Sequence, residues 1–118
     1  MPEFATAFSG LANSRKLTDK ELIRAVRFMV AAEYEAITLY MQLAESTDNR
    51  LAVTVLKSIA DEERVHAGEF LKLLCELAPD EETFYAEGTA EVAEEMTKMG
   101  WKQLSREKPK CQNKRTKL

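Results

Sequence analysis

The feature that most constrains this chain is an apolar stripe over residues 52–77 that two polar residues interrupt. Residues spaced alternately by four and three positions share one face of a helix, and an apolar face of this kind is normally buried. Along this stripe only Glu63 and His66 are polar, and His66 is the only histidine of the chain. Because the two lie about one helical turn apart on that face, they can reach the same metal ion. The apolar members are Ala52, Leu56, Ile59, Phe70, Leu73 and Leu77.

A second stripe over residues 22–44 has the same design, because a single charged residue, Glu33, interrupts it. A buried carboxylate without a counter-charge is strongly destabilising, so a metal ion or another counter-charge is expected beside each glutamate. If the two helices fold back on each other as an antiparallel hairpin, Glu33, Glu63 and His66 meet near its middle. The other members of the second stripe are Leu22, Val26, Met29, Ile37, Tyr40 and Ala44.

Local signals mark the ends of these two helices. Thr18 and Glu21 have the spacing of a capping box, which predicts a helix that begins near Thr18 and ends near residue 45. The polar turn of residues 46–49 leads into a second helix, which ends near residue 77 because Pro79 disfavours helical geometry in the residue before it. A connection this short makes the two helices antiparallel.

The pattern weakens after Pro79. We expect residues 79–88 to form a connection with only short helical turns, and residues 89–99 to form a third helix that Gly100 ends. The predicted fold class is all-α, with an antiparallel two-helix hairpin, a short C-terminal helix, and a four-helix bundle completed by dimerisation. The predicted organisation is an irregular N-terminal arm (1–17), a helical domain (18–99) and a basic flexible tail (100–118).

Charge is distributed unevenly along the chain. Residues 101–118 hold seven basic residues and one acidic residue, whereas residues 1–100 hold ten basic and nineteen acidic residues. An acidic body attracts cations and argues against nucleic-acid binding by the fold itself. The basic tail is either a contact for RNA or an acidic partner, or a solvated end, and we prefer the second interpretation.

The sequence also predicts the compartment. No apolar run reaches the roughly 18 residues that a membrane span needs, and the N-terminus lacks the basic start and apolar core of a secretory signal. We therefore expect a cytoplasmic protein that binds neither membranes nor nucleic acid. Cys75 and Cys111 lack the spacing of a metal or redox motif, and in that compartment we expect both to be reduced thiols.

The candidate ligands amount to half of a known site. A di-iron carboxylate centre in a four-helix bundle takes one glutamate from each of two helices and a Glu-x-x-His motif from each of the other two. With a single histidine, one chain cannot supply the second motif. Two chains related by a two-fold axis would supply Glu33, Glu63 and His66 twice and complete both the bundle and the ligand set. Glu62 and Glu69 lie off the stripe, and we interpret both as solvated.

Three segments then resemble the encapsulated ferritins of the ferritin-like superfamily. They are residues 32–40 (AEYEAITLY), the turn 46–48 (STD) and residues 61–67 (DEERVHA), and the resemblance extends over about residues 18–99. It implies half of a ferritin-like four-helix bundle that dimerises to assemble a ferroxidase centre. It further implies ring-shaped decamers built from such dimers, and a location inside an encapsulin nanocompartment with the shell protein as partner.

The resemblance also implies roles for single residues. Glu33, Glu63 and His66 match the iron ligands, Tyr40 matches a tyrosine beside the centre, and Glu35 matches a member of an outer site through which metal enters. The sequence departs from the family pattern at residue 32, which is an alanine instead of an acidic residue, and at residue 39, which is a leucine instead of a tryptophan. Residues 111–118 do not match the family's shell-targeting peptide.

The predicted function is therefore oxidation of Fe²⁺ to Fe³⁺ by O₂ or peroxide, feeding iron storage. Iron is the expected metal, with Ca²⁺, Zn²⁺, Mn²⁺ or Co²⁺ as substitutes. One alternative is a rubrerythrin-like di-iron peroxidase, although the chain lacks the paired CxxC motifs of a rubredoxin iron site. Another is a non-catalytic helical assembly module, which leaves the three inward polar residues unexplained. Tyr40 has two interpretations, as a core aromatic residue or as a redox-active residue beside the metal.

Overall fold

The structure, a computed structural model, describes residues 10–102. These residues form three helices, α1 (Asp19–Glu45), α2 (Arg50–Leu77) and α3 (Pro79–Lys98), and no strand. The all-α class is therefore confirmed. Residues 10–17 form turns and irregular backbone before α1. Most of the predicted arm and nearly all of the predicted tail lie outside the described residues, so the proposed domain limits stay predictions.

The start of α1 is the predicted capping box. The Glu21 backbone N–H donates to Thr18 Oγ1 at 3.3 Å, and the Thr18 N–H donates to Glu21 Oε1 at 2.9 Å. Arg15 reaches the same carboxylate with two hydrogen bonds of 2.7 and 2.8 Å. The hydrogen bonds from Arg15 and, after it, from the Thr18 backbone lower the pKa of Glu21 to about 2.

The connection between α1 and α2 contains only residues 46–49, which makes the helices antiparallel as predicted. Ser46 ends α1 with a hydrogen bond from its N–H to the Leu43 carbonyl at 3.0 Å. Asn49 begins α2, because its side-chain oxygen accepts a hydrogen bond from the Ala52 N–H at 2.9 Å. The two helices pack along each other as a hairpin.

The hairpin contact lies slightly to one side of the predicted stripes. Ala60, Ala67 and Leu74 are the buried residues of α2, and their spacing of seven places them on one line that faces α1. Two members of the predicted stripe, Ile59 and Leu73, remain 40% and 43% exposed. The stripes therefore divide between the contact within the hairpin and a neighbouring face that is open. The buried residues of α1 are Val26, Val30 and Ala44.

The third helix is longer than predicted, because residues 79–88 are helical and not a connection. Pro79 occupies the first position of α3, where its missing N–H and fixed φ suit a helix start. The acidic residues that follow it, Asp80, Glu81 and Glu82, favour the positive end of the helix dipole. Proline was thus correctly interpreted as the end of α2, but its second role as the start of α3 was missed.

The chain divides into two compact units, of which the first ends at Glu82 and the second begins at Thr83. In the first unit, Glu81 forms an ion pair with Arg27 of α1. In the second, no residue is buried among those described. Gly100 ends α3 as predicted, with φ of 67°, and the Trp101 N–H donates to the Met96 carbonyl at 2.9 Å, as in a Schellman motif.

Candidate metal centre

The hairpin brings the three predicted ligands together. Glu33 lies near the middle of α1, and Glu63 and His66 lie on the facing part of α2. His66 Nδ1 is 3.4 Å from Glu63 Oε2 and 3.7 Å from Glu33 Oε1. One potential ligand atom from each residue lies within 4.8 Å of the other two, and this is the only such cluster of three or more groups within residues 10–102. We call these three residues the cluster.

Both carboxylates of the cluster are largely buried, although the histidine is not. The exposed fractions of the side chains are 16% for Glu33, 17% for Glu63 and 45% for His66. Glu33 Oε2 is buried and has no hydrogen-bond partner among the described residues. A buried carboxylate oxygen without a partner is destabilising unless a cation compensates its charge. Two carboxylates and an imidazole are suitable ligands for iron, zinc, manganese or cobalt ions, so the residues fit a metal.

A cleft leads from solvent to the cluster. It has a volume of about 510 Å³ and is lined by Glu33, His66, Glu69, Phe70 and Leu73. Glu69, which the sequence pattern led us to interpret as solvated, is thus part of the approach to the cluster. The signal that could have found it is its spacing, because a residue three positions after His66 lies on a neighbouring side of the same helix.

The cluster borders an apolar face that is open in the single chain. Viewed along the helix axis, the large side chains on this face are rotated by at most about 80° from the glutamate of the same helix. The rotation is away from the hairpin contact. Their exposed fractions range from 39% for Leu22 to 56% for Leu43, which is far from the burial expected of a core. We call this surface the open face, and its residues are Leu22, Leu43, Val55, Ile59 and Leu73.

The two other predicted site residues do not join the cluster. Tyr40 is partly buried on the same stripe as Glu33, but seven residues of helix separate their Cα atoms by about 10.5 Å along the axis. Glu35 is also partly buried. It follows Glu33 by two residues and therefore points about 200° away around α1.

Known proteins share this fold and this arrangement of helices. A family model described as Rubrerythrin matches residues 25–108, which is more than half of the chain. The chain belongs to the Rubrerythrin family. Members of this ferritin-like family usually bind iron, which agrees with the carboxylates and imidazole of the cluster. Within the described residues, no helix has the length and apolar character needed to span a bilayer.

Two relatives of this Rubrerythrin-family chain have names that mention encapsulins. The encapsulin nanocompartment cargo protein EncC of Myxococcus xanthus is 43% identical over 67 residues, which are 57% of this chain and 52% of that protein. The ferritin-like–encapsulin shell fusion protein of Pyrococcus furiosus is 38% identical over 77 residues, or 65% of this chain and 22% of that protein. The chain thus spans about half of one relative and about a fifth of the other.

A solved structure gives the fold directly. The encapsulated ferritin domain from Pyrococcus furiosus superposes with a TM-score of 0.69 at 34% sequence identity. The match covers 73% of this chain and 88% of that domain. The resemblance to encapsulated ferritins and the ferritin-like hairpin are therefore confirmed for this member of the Rubrerythrin family.

Proposed function

We propose that this protein is a ferroxidase, which oxidises Fe²⁺ to Fe³⁺ at a di-iron centre shared by two copies of the chain. The observation that carries this proposal is the convergence of Glu33, Glu63 and His66, with Glu33 Oε2 buried and without a partner. A role as metal ligands would explain why the hairpin keeps two carboxylates largely buried. Membership of a family of ferritin-like proteins that usually bind iron supports the same metal.

The ligand chemistry favours the oxidised product. Fe³⁺ is a harder ion than Fe²⁺, so carboxylate oxygens stabilise it more than they stabilise the substrate. Two Fe²⁺ ions give up two electrons, which with two protons reduce O₂ to H₂O₂, or H₂O₂ to two molecules of water. In this chain Glu33 and Glu63 provide the negative charge, and His66 provides a neutral nitrogen ligand through Nδ1, the atom that faces both carboxylates.

A second copy of the chain completes the centre in this proposal. One chain offers two glutamates and one histidine, whereas a di-iron centre in a four-helix bundle takes twice that set. The open face is apolar and borders the cluster, so a second hairpin placed on it would bury the apolar side chains and bring in the missing ligands together. The ring-shaped decamer that the resemblance implies would then be an assembly of such dimers.

The proposal extends to the cellular setting. Both curated relatives carry encapsulin in their names, one as a cargo protein and one as a fusion with the shell. We therefore infer that this chain works inside an encapsulin shell, where Fe³⁺ would be stored as mineral. Co-expression with an encapsulin shell protein, followed by isolation of intact shells, tests this step. Shells that exclude the full chain would contradict it.

Two substitutions test the centre. We expect Glu63→Ala and His66→Ala each to reduce the initial rate of aerobic Fe²⁺ oxidation at least a hundredfold, because each removes a metal ligand. Helix content should stay nearly unchanged, since neither residue is among the apolar side chains buried between the two helices. Glu76→Ala is the matched control, because Glu76 is an exposed glutamate of the same helix. Oxidation at the wild-type rate by either ligand variant would exclude this centre.

The same assay tests the two residues that the resemblance adds. In the proposal, Tyr40 donates a hydrogen bond near the shared centre, so Tyr40→Phe should slow oxidation by up to about tenfold without loss of bound metal. Glu35 binds cations weakly at an outer site, so Glu35→Ala should slow oxidation only at limiting Fe²⁺. Unchanged kinetics in either variant would remove that residue from the proposal.

A peroxidase like rubrerythrin is the second candidate, and the match to the Rubrerythrin family favours it. The two functions differ in oxidant. A ferroxidase turns over with O₂ alone, whereas a peroxidase oxidises bound Fe²⁺ much faster with H₂O₂ than with O₂. Anaerobic loading with Fe²⁺, followed by mixing with one oxidant or the other, separates them. Protein that retains no metal after this loading would instead indicate an assembly module.

A further inference from the structure

Glu69 stands at the rim of the cleft that leads to the cluster. Its side chain is exposed, and it shares the cleft with Glu33 and His66. Three residues of helix separate it from His66, so the two side chains lie on neighbouring sides of α2 about one turn apart. One cleft therefore joins an exposed carboxylate at its mouth to a buried carboxylate at its inner end.

The position of Glu69 around α2 lies outside the open face. At about 100° per residue, His66 is rotated from Glu63 by about 60° and Glu69 by about 120°, both away from the hairpin contact. A second copy seated on the open face would pack against the side of α2 that carries His66. Glu69, about 60° further around α2 than His66, would fall at the outer border of that contact.

The surroundings of Glu69 suit the capture of a cation. Among residues 10–102 no basic side chain forms an ion pair with Glu69, whereas Glu76, two turns further along α2, is paired with Lys72 at 2.7 Å. Phe70 and Leu73 form apolar walls of the cleft. Apolar walls lower the local dielectric constant, so the attraction that the carboxylates exert on a cation extends further from the cluster.

We propose that Glu69 captures Fe²⁺ at the mouth of the cleft and passes it to Glu33 and His66. This inference rests on the proposed function and adds a substrate-binding residue to it. The two ends of the cleft differ in how tightly they would hold a cation. Glu69 offers a single solvated carboxylate, from which an ion dissociates readily, whereas the inner end offers a buried oxygen without a partner and two further ligands. The ion is therefore driven inward.

Charge-neutral substitutions test this role in the full-length protein. Glu69→Gln removes the charge and keeps the shape, and Asp61→Asn is the matched control. Asp61 is an exposed acidic residue of the same helix, about 160° around it from Glu63 and therefore away from the cleft. We measure the initial rate of Fe²⁺ oxidation over a range of Fe²⁺ concentrations, at 20 mM and at 500 mM NaCl.

The expected result is a loss of about threefold to tenfold in the rate at limiting Fe²⁺ and low salt for Glu69→Gln. The loss should be smaller at saturating Fe²⁺ and at high salt, because salt screens a guiding charge. Glu69→Lys should lose more, and Asp61→Asn should match the wild type. A Glu69→Gln variant indistinguishable from Asp61→Asn at limiting Fe²⁺ would overturn the proposal.

Co²⁺ binding, followed by its visible absorption, separates this proposal from the ferroxidase proposal. Glu69→Gln should fill more slowly than the wild type and reach the same final amount of bound Co²⁺. A lower final amount would make Glu69 a ligand of the centre and overturn its role in capture. Wild-type protein that binds Co²⁺ but oxidises no Fe²⁺ would contradict the ferroxidase alone, and wild-type protein that binds neither metal would overturn both.

Discussion

At the scale of single residues, Glu33 is the most informative position. Its Oε2 atom is buried without a partner, and its other oxygen lies 3.7 Å from the exposed imidazole of His66. In the metal-free chain this arrangement costs stability, because a desolvated carboxylate has lost its hydration without a full replacement. In the proposed centre, a bound cation would offset that cost.

We therefore predict that Glu33→Leu stabilises the metal-free protein and prevents metal binding. A buried carboxylate oxygen without a partner is destabilising by about 1–3 kcal/mol, so an apolar residue of similar size should be neutral or stabilising at this position. Urea denaturation of metal-stripped protein, followed by Co²⁺ titration, measures both effects. Ile37→Ala, one turn further along α1, is the control for packing and should destabilise. A Glu33→Leu variant that is destabilised and still binds Co²⁺ would show that Glu33 serves the fold and not a metal.

At the scale of secondary structure, the sequence predicted most ends of α1 and α2 to within one residue. Capping residues and the stripe pattern are local signals. The structure uses the predicted capping box at Thr18, and within the predicted polar turn it is Asn49 that caps α2. The predicted start of α3 was wrong because Pro79 follows the end of α2 and is also the first residue of α3. A rule based on helix propensity identifies only the first of these roles. The cluster was predictable because its members interrupt stripes that are otherwise apolar.

For Glu69, spacing along the sequence predicts a position beside His66 on α2 but not a place in the cleft. Its place in the cleft depends on how far the hairpin contact is rotated from the stripe, and that rotation follows from packing by Ala60 and Ala67. Small side chains allow close approach of α1 on that side and leave Ile59 and Leu73 facing outward. Periodicity gives the width of an apolar face, but it does not show which part of that face packs against the neighbouring helix and which part stays open.

The start of α1 gives a pH prediction. Hydrogen bonds, first from Arg15, lower the pKa of Glu21 to about 2 from a usual value of 4.5. A carboxyl group whose pKa is lowered by folding contributes stability above its unfolded pKa and loses it as the pH falls. We expect this contribution to be complete above about pH 5 and to disappear between about pH 4.5 and pH 2.

Comparison of wild type with Glu21→Gln isolates this group, because the other carboxylates titrate alike in both proteins. The urea midpoint of the wild type should exceed that of the variant at pH 6, and the two midpoints should converge towards pH 2. A difference that does not change between pH 6 and pH 2 would mean that the ion pair with Arg15 does not contribute to folding. Salt should reduce the difference, because the pair lies near the surface.

At the scale of the whole molecule, the hairpin is incomplete in two respects at once. Its open face leaves large apolar side chains such as Leu43 and Ile59 partly exposed, and its cluster supplies only half of the ligands of the proposed di-iron centre. A two-helix hairpin buries too little surface to be stable without further association. The same second copy would remove both deficits, so assembly and metal binding should be one coupled process.

We therefore predict that metal drives association of the chains. A ligand at a hundred times its dissociation constant stabilises the state that binds it by about 2.7 kcal/mol, which is roughly a hundredfold in the association constant. Metal-free chains would also place two copies each of Glu33 and Glu63 near the two-fold axis, and the repulsion among these carboxylates opposes assembly until a cation neutralises it.

Sedimentation velocity over a dilution series, with metal-stripped protein and with Zn²⁺ or Co²⁺ as redox-inert substitutes, measures this coupling. Stripped protein should move towards monomer on dilution, and added metal should restore dimers or larger rings at the same concentration. His66→Ala is the control, because it leaves the apolar side chains of the open face in place and removes a ligand, so its association should no longer respond to metal. The association constant of the wild type should be measured at protein concentrations at which the chains dissociate. If it is the same with and without metal, the centre is not shared between subunits.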